Sequence, residues 1–238
     1  IDSENLTATV EAGVVVADLQ REVERRGLFY PPDPASNEFS TIGGNIAEGA
    51  GGIRGLKYGV TRDFVLGLEA VAADGTIFHT GVITMKSVTG YDLTRLLVGS
   101  EGTLAVFTRA TLKLLPLPPA VGVARIFFAN DRAALSAASL IVNSRMLPRA
   151  LEFVDCNCLA VIREAGVQIP TNEGESMLLV EFDGTAQTVA TELQSLESLL
   201  APHCVRFDST DDPKERESLW AVRKSISPSV YKIAGKKI

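Results

Sequence analysis

The sequence of 238 residues has few residues of the kinds that build covalent or metal-centred sites. It contains three cysteines, Cys156, Cys158 and Cys204, and two histidines, His79 and His203. Three cysteines in a chain of this length do not form a disulfide framework. Cys156-x-Cys158 could be half of a metal site, but the rest of a four-ligand spacing is missing, and we interpret all three cysteines as structural. Two histidines also make a histidine-rich metal site or a complete Ser-His-Asp triad hard to build.

Long apolar runs and an excess of basic residues are also missing. No run of about 18 apolar residues occurs, so no transmembrane helix is expected. The net charge of −6 argues against a nucleic-acid partner, which needs a basic patch. No signal peptide opens the sequence, which predicts a cytoplasmic protein. Because the chain starts at Ile1 without an initiator Met and ends on basic and apolar residues, we expect it to be part of a longer polypeptide.

Two common nucleotide-binding motifs are absent as well. Neither G-x-G-x-x-G nor G-x-x-x-x-G-K-[ST] occurs, so a Rossmann NAD site and a Walker NTPase are unsupported. Glycine is nevertheless concentrated between Tyr30 and Gly59, a stretch that holds seven glycines after three prolines. Such a run is costly in backbone entropy unless a ligand needs close access to peptide N–H groups. We therefore predict a ligand-binding loop here, with a second tight loop at Ser100–Thr103.

The first half of the sequence alternates strands and short helices around this stretch. We predict a strand at Leu6–Val10 and a helix at Val16–Arg26. Val65–Ala73 and Thr76–Thr80 should form a hairpin around Asp74-Gly75, and a short helix should start at the cap residue Asp92. A last strand, Leu104–Leu115, ends at a proline cluster, which we take as the boundary between domains 1–118 and 119–238.

The second half contains strand–helix–strand units twice. The predicted strands begin near Gly122, Ala150, Met177 and Cys204, and the main helices span Asp131–Arg145 and Thr188–Leu200. We expect the first of these helices to bury one apolar face, formed by Ala134, Leu135, Ala138, Ile141 and Val142. Two split βαβ units predict a ferredoxin-like sheet. The fold class is therefore α+β.

Several segments together resemble one family. They are Pro32–Ser36, Thr41–Glu48, Ala50–Gly52, Leu56–Gly59, Thr61–Asp63, Gly90–Leu93 and Gly99–Leu104. This joint pattern covers nearly the whole chain and resembles the FAD-linked oxidases of the vanillyl-alcohol oxidase type, in particular the glycolate oxidase FAD-binding subunit and the D-lactate and D-2-hydroxyglutarate dehydrogenases. The resemblance implies part of a PCMH-type FAD-binding domain followed by a ferredoxin-like cap domain that is truncated at its C-terminus.

The resemblance also implies which residues bind FAD. Those expected at the flavin and ribityl-diphosphate are Pro32, Asp33, Ser36, Thr41, Gly43, Gly44 and Asn45. Those expected to line the same groove are Gly49, Gly51, Gly52, Tyr58 and Gly59. Those expected near the nucleotide are Glu101, Gly102 and Val106. Two mild departures from the family pattern are Gly49, where asparagine is more usual, and Ala105-Val106 in place of Gly-Ile.

Two family segments have no counterpart in this sequence. One is an earlier glycine-rich segment that grips the diphosphate, and the other is a late segment that binds a divalent metal and supplies a catalytic histidine. No metal ligand is therefore assigned within this chain. We expect residues 1–238 alone to be inactive and to bind FAD weakly or not at all; stoichiometric tight binding in a titration would contradict this.

The cap contributes two candidate catalytic residues. Trp220-x-x-Arg223 resembles the family's arginine for the substrate carboxylate, and the planar guanidinium suits a carboxylate because it donates two parallel hydrogen bonds. The alternative for Arg223 is a surface ion pair with Glu217 or a similar residue. Of the lysines near the end of the chain, Lys237 is selected as a second catalytic candidate.

The resemblance implies oxidation of a small 2-hydroxy acid, such as glycolate or D-lactate, with hydride transfer to flavin N5. It also implies a second flavin subunit, an iron–sulfur subunit and peripheral membrane association through these partners. One alternative is a non-catalytic flavin-binding subunit of an electron-transfer complex. Another is that this chain is a stable proteolytic core without activity of its own.

Overall fold

A computed structural model describes residues 1–84 and 86–234 of the chain, with the side chain of Ala234 excepted. The chain divides into two compact units, Ile1–Leu117 and Pro118–Ile238. The division falls within the proline cluster, one residue before the boundary that the sequence predicts. None of the helices in residues 1–84 and 86–234 combines the length and the apolar character of a membrane span.

The first unit combines short helices with an antiparallel sheet. Its strands are β1 Thr7–Glu11, β2 Leu28–Phe29, β3 Val65–Val71, β4 Ile77–Gly81, β5 Val106–Lys113 and β6 Leu115–Pro116. Its helices are α1 Val16–Glu24, α2 Ile42–Glu48, α3 Gly55–Tyr58 and α4 Leu93–Leu97, with a 3-10 turn at Thr61–Asp63. The main sheet has the order β1-β5-β3-β4, and β2 pairs separately with β6.

The predicted hairpin and the predicted cap at Asp92 are confirmed. Strands β3 and β4 pair antiparallel, with Val71 opposite Ile77 across the Asp74-Gly75 turn. The side chain of Asp92 accepts a hydrogen bond from the Arg95 N–H and caps α4. One face of the sheet is apolar and packs with the helices around a buried core that includes Val16, Ile42, Leu68 and Leu112.

The glycine-rich stretch, which we predicted as a loop, contains helices. Residues 42–48 form α2, and α3 and the 3-10 turn follow it. The Thr41 hydroxyl caps α2 by accepting the N–H of Gly44 at 3.1 Å, which offsets the low helix propensity of two glycines. The Thr41 cap therefore supports a helix that glycine composition alone disfavours.

The second unit has the connectivity and sheet order of a ferredoxin-like fold. Its strands are β7 Ala120–Phe128, β8 Ala150–Val154, β9 Ser176–Gly184 and β10 Arg206–Thr210. Its helices are α5 Asp131–Asn143, α6 Cys156–Glu164, α7 Ala186–Leu200 and α8 Pro213–Ala234. The strands form one antiparallel sheet in the order β10-β7-β9-β8, which confirms the predicted cap fold.

The two faces of this sheet differ in chemistry because side chains alternate along each strand. On the face packed with α5 and α7, the strand residues are apolar, for example Ile126, Val180 and Phe182. The other face carries the charged residues Glu152 and Glu181, which lie opposite Leu179 and Val123 in the register. Two side chains of α8, those of Trp220 and Arg223, donate hydrogen bonds to carboxylates on this charged face.

The predicted apolar face of α5 needs correction. Helix α5 buries Ala134, Ala137 and Ile141, whereas Leu135 is 51% and Val142 is 59% exposed. Alanines at successive turns let the helix axis approach the sheet closely, so the larger side chains beside them are left outside the core.

Candidate functional site

The segment that contains Pro32 and Asp33 is held in place by side chains of its own unit. Gln20 Nε2 donates to the Pro32 carbonyl oxygen at 2.9 Å. The Asp33 carboxylate accepts from Asn37 Nδ2 at 2.8 Å and forms an ion pair of 3.3 Å with Arg54. Because this pair is largely buried, Asp33 has a structural role whether or not it also approaches a ligand. Sequence reasoning did not identify Arg54. Ser36 lies half-buried in the same turn.

The two neighbouring glycines of helix α2, Gly43 and Gly44, differ in how closely other atoms surround them. The Gly43 N–H donates to the Ala12 carbonyl oxygen at 2.8 Å, and a Cβ added at Gly43 would lie 2.7 Å from Ala12 Cβ. The N–H groups of Gly43 and Gly44 both bond within the chain, so neither is a free donor for a ligand. Gly44 is exposed, and an added Cβ would meet only the Thr41 hydroxyl at 3.4 Å. Packing therefore requires glycine at position 43 but not at position 44.

Asn45 is the most informative polar residue of this helix. It is 3% exposed, and within the described residues its amide nitrogen Nδ2 has no hydrogen-bond partner. A buried donor without a partner costs about 1–3 kcal/mol of stability. Such a donor is suited to a bound ligand that supplies an acceptor atom. The sequence could identify Asn45 from its position after two glycines, but not its burial.

The glycines that follow α2 join it to the Asp33 segment. Gly49 ends the helix in the left-handed conformation, with φ of 65°. A Cβ at Gly52 would lie 2.2 Å from the Asp33 carbonyl oxygen, so only glycine fits against that backbone. By contrast, Gly51 is exposed, and its added Cβ would make an ordinary contact of 3.4 Å with Val60.

The remaining residues of this stretch serve mainly its own packing. The Tyr58 ring packs edge-on against Phe29, with ring centres 5.5 Å apart. Gly59 has φ of 88° and lies close to the Asp63 carboxylate, which accepts the N–H of Val60 at 2.9 Å. These residues therefore close the turn that follows α3.

The second predicted loop docks on the C-terminal end of α2. The Gly99 N–H donates to the Ile46 carbonyl oxygen and the Glu101 N–H to that of Ala47, both at 2.9 Å. Glu101 adopts φ of 50°, which costs a non-glycine residue about 1–2 kcal/mol. Gly102 is exposed, and a Cβ there would meet no atom within 4 Å.

Most of the predicted cofactor residues therefore lie in three segments that meet in this unit, residues 32–36, 41–52 and 99–102, and we call these segments the glycine surface. Val106 is the first residue of β5 and lies opposite Val71 at 65% exposure. The buried Asn45 donor and the open space over Gly44 and Gly102 fit a bound cofactor.

In the second unit, Arg223 is paired with a carboxylate that the sequence did not indicate. Arg223 Nε donates to Glu152 Oε2 at 2.9 Å, and the two side chains are 38% and 23% exposed. The ion-pair partner is thus on β8 and is not the nearby Glu217 of α8. Lys237, the second catalytic candidate, lies outside the described residues.

A buried polar cluster lies beside this pair. Trp220 Nε1 donates to Glu181 Oε2 at 2.9 Å, and Arg149 bridges Glu181 at 2.9 Å and Asp183 at 3.3 Å. All four side chains are less than a tenth exposed. Sequence reasoning missed this cluster, although the alternation of Glu181 and Asp183 with apolar Val180 and Phe182 places both carboxylates on one face.

All three cysteines are free. Burial and the Asp131 carboxylate raise the pKa of the Cys156 thiol, and burial and Asp155 raise that of Cys158. Among residues 1–84 and 86–234, no group of three or more His, Cys, Asp or Glu side chains could hold a metal ion. His79 lies 3.2 Å from Glu69 on the exposed face of the first sheet.

Both units match known protein families. Residues 1–81 match the family described as FAD binding domain, and residues 117–237 match FAD linked oxidases, C-terminal domain. Solved structures of alkyldihydroxyacetonephosphate synthase share the fold, with a TM-score of 0.77 at 21% identity over 98% of this chain and 44% of that chain.

Curated relatives include three 2-hydroxy-acid enzymes. The glycolate oxidase subunit GlcD of Bacillus subtilis is 50% identical over 235 residues, covering 98% of this chain and 50% of the relative. The D-lactate dehydrogenase of Archaeoglobus fulgidus is 42% identical, with 84% and 45% covered. The mitochondrial D-2-hydroxyglutarate dehydrogenase of Bos taurus is 35% identical, with 92% and 41% covered.

The chain thus spans about half the length of the curated relatives it matches. The family match in the second unit extends over more than half of the chain, and it agrees with the ferredoxin-like order of the sheet. The chain belongs to the FAD-linked oxidases.

Proposed function

We propose that the full-length protein uses FAD to oxidise a small 2-hydroxy acid, of the glycolate or D-lactate type, to the 2-oxo acid. The observation that carries this proposal is the 50% identity to a glycolate oxidase subunit across both units. The glycine surface of the first unit supports it, because three segments expected at the cofactor meet there. The substrate class agrees with the names of the other two relatives.

The residues proposed to hold FAD are those of the glycine surface together with Tyr58, Gly59 and Val106. Gly44, Gly51 and Gly102 would leave room for the cofactor, since their exposed positions carry no side chain. The Asn45 amide would donate a hydrogen bond to one of its acceptor atoms. When bound, FAD supplies the acceptor for the hydride that leaves C2 of the substrate.

Substrate orientation is the proposed role of Arg223. A guanidinium binds a carboxylate through two parallel charge-assisted hydrogen bonds, which fixes both the position and the plane of the acid. Lys237 is proposed as a second cation near the substrate. The divalent metal and the catalytic histidine that the resemblance implies remain predictions for the full-length protein.

The proposal extends to partners and location. The Bacillus subtilis relative is named as a subunit, which supports a multi-subunit enzyme. We propose a second flavin subunit and an iron–sulfur subunit as electron acceptors, without a nucleic-acid partner. Cytoplasmic location, with peripheral membrane association through these partners, is part of the same proposal.

Steady-state turnover of the purified full-length protein tests this function. We expect flavin absorbance and reduction of an artificial dye with at least one 2-hydroxy acid. A protein with no flavin and no dye reduction with any 2-hydroxy acid would contradict the proposal. The Arg223→Ala variant separates it from the alternative of a non-catalytic flavin-binding subunit, because unchanged turnover in that variant would favour the alternative.

A further inference from the structure

We propose that Glu152 is a positioning residue for substrate binding, which it achieves by holding one edge of the Arg223 guanidinium. This inference rests on the proposed role of Arg223. The hydrogen bond of 2.9 Å joins Nε, and not a terminal amino group, to Glu152 Oε2. Within the described residues, the two terminal amino groups of Arg223 make no hydrogen bond.

The edge that Glu152 occupies determines how a substrate can bind. A guanidinium has five N–H donors in a fixed plane, so it offers a side edge containing Nε and an end edge formed by the two terminal amino groups. Glu152 takes the side edge. A 2-hydroxy-acid carboxylate would therefore bind the end edge with two parallel hydrogen bonds, in the plane that Glu152 sets.

Both partners of this pair are themselves fixed. Glu152 lies on β8, opposite Leu179 in the sheet register. Arg223 lies on α8 one turn after Trp220, whose indole N–H is anchored to Glu181 at 2.9 Å. Further along the helix, Lys232 Nζ donates to the Ala165 carbonyl oxygen at 2.6 Å. Because hydrogen bonds hold both α8 and β8 in place, the bond to Glu152 can restrict the Arg223 guanidinium to one orientation.

The charge of Glu152 has a second consequence. A carboxylate beside Arg223 reduces the net attraction for a second carboxylate, so affinity would be higher without it if charge alone mattered. Orientation works in the opposite direction, since an arginine held in one rotamer loses less side-chain entropy on binding. The two explanations therefore predict opposite changes in KM when Glu152 is removed.

The test uses the full-length protein with glycolate and D-lactate as substrates. Glu152→Ala should raise KM about tenfold and change kcat less than about threefold, because the lost interaction acts on binding. Glu152→Gln retains an oxygen acceptor for Nε and should raise KM no more than about threefold. Asp208→Asn is the matched control, since it alters another partly buried ion pair of the second unit, Arg125–Asp208 at 2.9 Å, and should leave KM unchanged.

Several outcomes would overturn the inference. Unchanged or lower KM in Glu152→Ala, combined with a large increase in Arg223→Ala, would contradict Glu152 as a positioning residue while leaving the proposed function intact. Unchanged KM in both variants would contradict the carboxylate role of Arg223 as well. If Glu152→Ala does not fold, Glu152→Asp replaces it; the shorter side chain withdraws from Nε and should also raise KM.

Discussion

The peptide N–H of Glu101 donates a hydrogen bond of 2.9 Å to the carbonyl oxygen of Ala47, although Glu101 has the unfavourable φ of 50°. The last carbonyl groups of a helix have no partner within it, so the loop after α4 satisfies groups that α2 leaves open. This contact joins two stretches that lie far apart in the sequence. It forms one side of the glycine surface that we propose for FAD.

Gly44→Ala should have opposite effects on the stability of the protein and on its affinity for FAD. Alanine is favoured over glycine within a helix by about 1 kcal/mol, and its Cβ would clash with no atom here, so the free energy of unfolding should rise. FAD affinity should fall, because the added methyl group occupies the open space over α2. Denaturant unfolding of the cofactor-free full-length protein and an FAD titration measure the two effects.

Gly43→Ala is the control for this prediction. Its Cβ would lie 2.7 Å from Ala12 Cβ, which should lower the free energy of unfolding by about 1–3 kcal/mol. A Gly44→Ala variant that binds FAD as tightly as the wild type would contradict the placement of the cofactor over Gly44.

Gly52→Ala should damage the contact between α2 and the Asp33 segment. The new Cβ would lie 2.2 Å from the Asp33 carbonyl oxygen, and since this neighbour is backbone, it cannot move aside at small cost. We expect the free energy of unfolding to fall by about 1–3 kcal/mol, as in other overpacked sites. Gly51→Ala, the neighbouring control, should leave stability nearly unchanged. Equal losses of unfolding free energy in Gly52→Ala and Gly51→Ala would contradict the close approach of Gly52 to the Asp33 carbonyl oxygen.

Glu181→Ala should strongly destabilise the second unit. It would leave the buried Arg149 without one carboxylate and the Trp220 indole without its acceptor. Removing one partner of a buried ion pair typically costs about 3–5 kcal/mol. Denaturant unfolding of the full-length protein measures the loss, and Glu197→Ala on the exposed side of α7 should change stability by less than about 0.5 kcal/mol. If Glu181→Ala lowers the free energy of unfolding no more than Glu197→Ala does, the stabilising role of the buried polar cluster is contradicted.

Cys156 should react slowly with iodoacetamide near neutral pH. Burial and the neighbouring Asp131 carboxylate raise its pKa, so at any pH below that value it has less reactive thiolate than an ordinary cysteine. Asp131→Asn should lower the pKa and speed alkylation of Cys156, as followed by mass spectrometry over a pH series. Cys204, which has no hydrogen bond to Asp131, is the internal reference. Faster alkylation of Cys204 in this variant, or an unchanged rate at Cys156, would contradict the assigned cause.

Regular elements with clear periodicity were predictable from the sequence. The Asp74-Gly75 hairpin and the ferredoxin-like order follow from local turn chemistry and from the repeated strand–helix–strand pattern. Helix α2 was not predictable in this way, because its two glycines lower the helix propensity. The hydrogen bond from Gly43 to Ala12, which stabilises it, joins residues distant in the sequence. The cap at Thr41 depends on the backbone geometry at the start of the helix.

Individual side-chain partners were harder to predict. The pair Arg223–Glu152 joins residues 71 positions apart, so its partner could not be read from the spacing along α8. The Arg54–Asp33 pair depends in the same way on a turn whose shape the glycines set. For the candidate site, the sequence therefore indicated the segments, whereas the hydrogen bonds that join them required the structure.

Anaerobic mixing of the purified full-length protein with glycolate or D-lactate tests the central claim most directly. If the protein oxidises 2-hydroxy acids with FAD, the visible flavin absorbance should bleach within a single turnover, and Arg223→Ala should require a much higher acid concentration for the same rate. A flavin-loaded protein whose absorbance stays unchanged at saturating concentrations of both acids would contradict the account.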